Sequence, residues 1–284
     1  VSPIIKHLRF IQTLSNIIVV AIENKRLFQE TLRQEALKRE MELASKMQTM
    51  LIPEKEKLPS NEHISILAFY HPHFEVGGDY YDVIQLSKDE VGFCIADVSG
   101  KGISAAILMS NFQANVRALF TENQGLTDTL HRLNSSVMSS AKGEKFITLF
   151  IARYHFPSRT LTYVNAGHNP PLLYEPESEK LTQLSSGCVG MGMLDDLPFL
   201  NEAAITLDEP AKLFCYTDGL VEVIQDSGVE FGTENLEKEL TNKRSLEENI
   251  QTIIENQKIL EGSAAIFDDI SIIGAQFPGV KGFS

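Results

Sequence analysis

The sequence predicts an α+β fold with antiparallel sheets, preceded by a long helical stalk. Three observations carry that expectation. Strand-like segments come in runs and helix-like segments in pairs, without the βαβ alternation of a parallel sheet. Residues 4–52 hold neither glycine nor proline, and their apolar residues recur in steps of three and four. Residues 53–59 (PEKEKLP) then form a charged, proline-bounded break, after which the texture changes. With 43% hydrophobic and 22% charged residues over 284 positions, the chain is neither disordered nor of low complexity. A core of that size stands without disulfides.

The stalk is read over residues 8–51, apolar at Leu8, Ile11, Leu14, Ile18, Ile22, Phe28, Leu32, Leu43 and Met47. About 44 residues at roughly 1.5 Å each would reach about 65 Å. No globular core needs that length, so a parallel helical dimer is favoured over a helix packed on its own domain. Lys25, Gln29 and Arg39 interrupt the best heptad seam. Residues 64–70 (ISILAFY) read as a strand, and residues 90–97 (EVGFCIAD) as a second that ends in an acid. Residues 104–120 lack glycine and are apolar at Ile107, Leu108, Phe112, Val116 and Leu119, a helix; residues 127–140 give another. Residues 145–155 and 160–165 alternate as a hairpin around Pro157-Ser158-Arg159. Residues 212–217 are a strand that runs into Asp218-Gly219, residues 246–260 a helix, and residues 270–275 a last strand behind Asp268-Asp269. No internal repeat is visible.

The net charge of −13 is unevenly spread: residues 1–60 carry +3 and residues 61–284 carry −16. The acidic part would repel a phosphate backbone, so no nucleic-acid partner is expected. Handling phosphate would require bound cations to reverse the local field. The longest early apolar run, residues 17–22, is far short of the roughly 20 residues of a membrane span, so no membrane partner is expected. Cys94, Cys188 and Cys215 form no CxxC pair. They read as free thiols of a reducing compartment, which points to a cytoplasmic protein.

Four aspartates recur at strand-to-turn junctions: Asp79 in VGGDYYD, Asp97 in ADVSGKG, Asp218 in YTDGLVE and Asp268 in FDDIS. Each alone is an ordinary turn former. Together, carboxylates at strand ends beside glycines make an all-oxygen site suited to hard divalent cations such as Mg²⁺ or Mn²⁺. No His/Cys cluster competes for a softer metal.

The ordered set GGDYYD, ADVSGKG, NAGHNPP, YTDGLVE and DDISII resembles the metal-dependent protein phosphatases of the PPM superfamily, in their bacterial SpoIIE/RsbU-type branch. The resemblance covers about residues 40–276. Residues 40–53 (EMELASKMQTMLIP) resemble the lead-in of that branch, and residues 4–35, especially VAIENKRL, look like the final helix of a GAF sensor domain. The resemblance implies an αββα sandwich of two antiparallel sheets flanked by helices, with two Mn²⁺ or Mg²⁺ ions at one end. It implies ligands Asp79, Asp97, the carbonyl of Val98, Asp218 and Asp268, with Asp79 and Asp97 central to catalysis. It also implies a phosphorylated protein substrate, a STAS-domain anti-sigma-factor antagonist. The organisation follows: a helical stalk at 1–52, a linker at 53–60, a phosphatase domain at 61–277 and a tail at 278–284.

Some residues stay open at this point. If residues 79–82 are extended, Asp79 and Asp82 point to opposite faces, which leaves Asp82 a ligand or a neighbour. Asp269 aligns beside a ligand and reads as its hydrogen-bonding neighbour. Ser99 stands where the eukaryotic phosphatases carry a histidine, so no general acid is assigned. Lys101 stands as either a phosphate-binding cation or a solvated turn lysine. His168, in a loop fixed by two prolines, reads as structural before catalytic. The glycine-rich stretch 187–192 (GCVGMG) lacks the Lys-Ser/Thr of a P-loop and reads as a turn. A catalytically inactive scaffold and a two-metal nucleotide cyclase are the alternatives to a phosphatase.

Overall fold

The computed structural model of the chain describes residues 3–73, 77–225, 228–261 and 266–279. It divides into two units, residues 1–46 and 47–284. The first unit consists of helix α1 (Pro3–Thr49), whose last turn belongs to the second unit. The helix starts five residues before and stops two before the predicted span. Along it Leu14, Ile18, Ile22, Phe28 and Leu32 are all exposed.

The second unit runs β1 (Ser65–His71), β2 (Tyr80–Ser87), β3 (Glu90–Val98), α2 (Ile103–Leu119), α3 (Leu126–Ala141), β4 (Ile147–His155), β5 (Thr160–Ala166), β6 (Leu172–Glu175), β7 (Lys180–Gln183), β8 (Gly187–Cys188), β9 (Ala203–Thr206), β10 (Ala211–Tyr216), α4 (Asp218–Val221), α5 (Gly232–Leu240), α6 (Leu246–Asn256) and β11 (Ile270–Phe277). One sheet has the order β1-β11-β10-β6-β7, the other β2-β3-β4-β5-β8, with β9 also on β5. The central strands alternate their side chains between two apolar layers. Ile66, Phe93, Ile95, Phe150, Leu213 and Ile273 fill the space between the sheets. Cys94, Ala96 and Ile151 face α2 and α3 on one outer side, through Met109, Phe112 and Leu130. Phe214, Tyr216 and Ile272 face α4 to α6 on the other, through Leu236, Leu246 and Ile253. Central strands such as β10 are therefore buried at every residue. The αββα sandwich and its α+β class stand as the sequence predicts.

Several local expectations need correction. Asp218 does not end a strand: β10 stops at Tyr216, Thr217 takes the N-cap position and Asp218 opens α4. The last predicted helix ends at Asn256, and a short 3₁₀ turn follows at Ile259–Glu261. Its start is fixed by a capping box between Ser245 and Glu248. The glycine-rich stretch is only partly a turn, because Gly187–Cys188 pairs parallel with β5, a departure from a wholly antiparallel sheet. Strands β2, β6, β7 and β9 and helix α5 went unforeseen. Among the described residues no helix is long and apolar enough to cross a membrane. Cys94 and Cys215 are buried, Cys188 partly so, and all three are free thiols.

Candidate metal centre

The aspartates are delivered by both sheets at one end. Asp97 lies in the last turnward step of β3, opposite Thr148 of β4. Asp79 precedes β2, the neighbour of β3. Asp218 follows β10, and Asp268 and Asp269 precede β11, which pairs with β10. Several of these carboxylates act on one another. Burial pushes Asp97 up to about 7, and the charges of Asp218, Asp268 and Asp269 push the same way, against a hydrogen bond with Asp79. Burial, Asp97 and Asp269 raise Asp79 well above the ordinary carboxylate range. Burial and then Asp268 raise Asp218.

Backbone packing at the centre depends on two glycines. A Cβ on Gly77 would overlap the Asp269 carboxylate, and one on Gly78 would lie 2.9 Å from the Val98 carbonyl oxygen and 3.3 Å from Asp97 Oδ1. The GG pair thus lets the 77–79 segment lie directly against the carboxylates, and it places the Val98 carbonyl among them. Asp269 spends both oxygens on backbone: Oδ2 accepts from Gly78 N–H at 2.8 Å and Oδ1 from His73 N–H at 2.9 Å. The Thr217 hydroxyl donates to Asp79 Oδ2 at 2.8 Å and accepts from Ser271 N–H at 2.9 Å. Lys101 lies 2.8 Å from Asp268 Oδ2 and also bonds the Phe267 carbonyl.

Other sequence candidates sort clearly. Asp82 is turned to the opposite face, where it takes hydrogen bonds from Arg117 Nε at 2.7 Å, Arg117 Nη2 at 3.1 Å and the Tyr80 hydroxyl at 2.7 Å. It anchors α2 and is apart from the carboxylate centre. Ser99 is woven into the β3–α2 turn, its hydroxyl accepting from Phe146 N–H and its carbonyl from Lys145. His168 is buried, with Nδ1 3.0 Å from the Thr148 hydroxyl and its backbone N–H on Asn165 Oδ1. The Tyr216 backbone lies against its ring, and burial lowers its pKa to about 4.

Two participants escaped the sequence reading. Thr217 carries no signal beyond its place before Asp218. Gln48, in the last turn of α1, is buried; its Nε2 donates to the Gly77 carbonyl at 2.6 Å and its Oε1 accepts from Gly77 N–H at 3.1 Å.

Among the described residues no three His, Cys, Asp or Glu side chains already close on one point as a finished cage. The donor chemistry still fits divalent cations. Burial first, and neighbouring carboxylates second, raise Asp79, Asp97, Asp218 and Asp269, a penalty that bound cations would relieve, and Lys101 pairs with Asp268 at the same end.

Residues 87–278 match the family Stage II sporulation protein E (SpoIIE). The chain belongs to the SpoIIE family. This SpoIIE-family chain is 30% identical over 201 residues to phosphoserine phosphatase RsbU of Bacillus subtilis (strain 168), covering 70% of this chain and 59% of that protein. It is 28% identical over 189 residues to phosphoserine phosphatase RsbP of the same organism, covering 65% and 46%. The chain therefore spans about half the length of these curated relatives. Among solved structures, the SiaA-PP2C domain of Pseudomonas aeruginosa superposes with a TM-score of 0.69 at 20% identity, covering 86% of this chain and 98% of that one. The RsbU and RsbW domains of Rv1364c from Mycobacterium tuberculosis give 0.63 at 21%, covering 78% and 63%. At these identities the structures speak for the fold, and the expected PPM-type sandwich is the fold they share.

Proposed function

We propose that this SpoIIE-family domain is a metal-dependent protein serine/threonine phosphatase. The observation that carries the reading is the convergence of Asp79, Asp97, Asp218, Asp268 and Asp269 from two sheets, with Asp79, Asp97, Asp218 and Asp269 raised above the ordinary carboxylate range and Lys101 paired with Asp268. In this reading Asp79, Asp97, Asp218, Asp268 and the Val98 carbonyl hold two Mn²⁺ or Mg²⁺ ions. Bound cations would neutralise the phosphoryl oxygens and make water a nucleophile at neutral pH. The chain's own residues do the rest. Thr217 and Asp269 fix the Asp79 segment, and Lys101 stands at the rim as the cation nearest Asp268. The Ser99 hydroxyl accepts from Phe146 N–H and ties the turn after β3 to the start of β4.

The likeness to RsbU and RsbP supports a phosphorylated protein substrate, with a STAS-domain antagonist as the class to try first. RsbX, of similar fold, has been crystallised with magnesium, which supports the choice of metal. We assign the stalk at 1–52 as the end of an upstream GAF-like sensor and as the homodimer contact, with the phosphatase at 61–277 behind a linker at 53–60. Three free thiols fit a cytoplasmic setting.

The test is phosphate release from a phosphoserine protein with added Mn²⁺, beside a GTP cyclisation assay. We expect hydrolysis that needs Mn²⁺ or Mg²⁺ and stops with EDTA. Full activity after exhaustive chelation would overturn the metal assignment. Cyclase product, or metal binding without either reaction, would favour the alternative functions.

A further inference from the structure

The Asp79 segment is gripped from two sides. On one side stands Asp269, already described. On the other stands Gln48, whose carboxamide forms a reciprocal pair with a single peptide group: Nε2–H to the Gly77 carbonyl at 2.6 Å, and Gly77 N–H to Oε1 at 3.1 Å. Gln48 is 4% exposed, whereas most of the described side chains of α1 before it are exposed. A buried carboxamide must find partners for both its donor and its acceptor, and here both lie on Gly77. The next residue, Gly78, gives its N–H to Asp269 Oδ2 at 2.8 Å. A side chain on Gly78 would reach the Val98 carbonyl and Asp97. A shift of Gly77 is therefore felt two residues later, at the place where Asp79 meets Asp97.

We propose that Gln48 is a positioning residue for the Asp79 carboxylate, and that it makes the last turn of α1 part of the catalytic apparatus. Gln48 touches no substrate in this account. It acts by holding the Gly77 peptide at one height against Asp269, so that Asp79 stands in ligand position. Because residues 47–49 close a continuous helix, a rotation of that final turn would withdraw the carboxamide and loosen the segment. The inference rests on the phosphatase reading for its catalytic consequence but not for its structural one.

The experiment uses the full chain and three readouts: amide hydrogen exchange over residues 77–82 without metal, Mn²⁺ affinity by calorimetry, and kcat and KM on a phosphoserine protein. Gln48→Met preserves length and removes both hydrogen bonds. Gln48→Asn keeps the polarity but is one methylene too short to reach. Both should speed exchange at 77–82 while other strands keep wild-type protection. Mn²⁺ affinity should fall about tenfold, the usual scale for outer partners of metal ligands. Activity should fall through kcat, with KM within about twofold of wild type. A merely structural role would lower overall stability and leave folded protein with wild-type exchange at 77–82 and wild-type metal affinity; that result overturns the proposal. If Gln48→Met does not fold, Gln48→Asn decides on the same criteria. If wild type takes up no Mn²⁺ yet both variants speed exchange at 77–82, the phosphatase reading fails and the positioning role is upheld.

Discussion

Asp97 concentrates the electrostatic strain of the centre, with a pKa pushed up to about 7 by burial and by neighbouring carboxylates. Asp97→Asn should therefore cut hydrolysis under saturating Mn²⁺ to below about a tenth of wild type. The metal-free variant should melt no lower than wild type, because one repelling charge has gone. A lower melting temperature would show that Asp97 holds the fold and would empty the activity loss of meaning. Asp218→Asn, at a half-buried helix start, should mainly raise the metal concentration needed for half-maximal rate. His168 behaves in the opposite sense. Its folded pKa of about 4 lies below the ordinary 6.5 because its ring is buried. The unfolded chain thus binds a proton that the folded one refuses between these values. Stability from this group is complete above about pH 6.5 and is lost as pH falls toward 4, by about 3 kcal/mol in all. Urea titrations of wild type and His168→Asn should show a steeper acid loss in wild type; parallel slopes would mean the imidazole is protonated without cost.

Among the elements, α2 matters most, since it starts just beyond Asp97 and Val98 and is tied to β2 by the Asp82–Arg117 pair. Asp82 is fully buried and the Arg117 side chain is 52% exposed. Arg117→Met leaves a buried carboxylate with only the Tyr80 hydroxyl and a backbone N–H. We expect a loss of about 2–3 kcal/mol by urea unfolding, below the range for a wholly buried pair because the guanidinium is half in water. Adding Asp82→Leu should restore part of that loss; no recovery would argue that Arg117 matters through packing alone. The same elements show what was legible. Helices α2 and α3 and strands β3, β4, β5, β10 and β11 announce themselves by apolar period, and the aspartate motifs by their glycines. Strand β2 does not, because Asp82 occupies a buried position that reads as polar until Arg117 is seen to pair with it. Strands β6 to β9 are two to four residues long, too short for a period to register. Asp218 misled because a one-turn helix follows its strand at once. Gln48 was hidden because its partner is a peptide group 29 residues away, and no spacing rule encodes that.

For the whole molecule, the unresolved pressure is the apolar surface of α1. Phe10, Ile22 and Phe28 are 66%, 62% and 64% exposed, and Ile11, Leu14, Ile18 and Leu32 lie on the same helix. Fully burying one such side chain contributes about 1.5–3 kcal/mol. Association costs at least about 4 kcal/mol in lost freedom, so several anchors together suffice. The seam runs from Ile11 to Leu32, interrupted at Lys25 and Gln29, and it fades where Glu35, Arg39 and Glu42 fall on it. Association should therefore be concentrated in the first two thirds of the helix. Removing residues 1–40 deletes that seam and keeps Gln48. The truncated protein should be monomeric by light scattering at tens of micromolar (roughly the range of weak dimers, with Kd about 10⁻⁵ M), and the full chain dimeric. If dimer geometry is transmitted through the final turn of α1, the truncated protein should also titrate Mn²⁺ differently, by about fivefold or more for a coupling of the usual 1–3 kcal/mol. An unchanged titration in a monomeric truncation would make the stalk a passive tether. A full chain that is itself monomeric would remove the dimer premise.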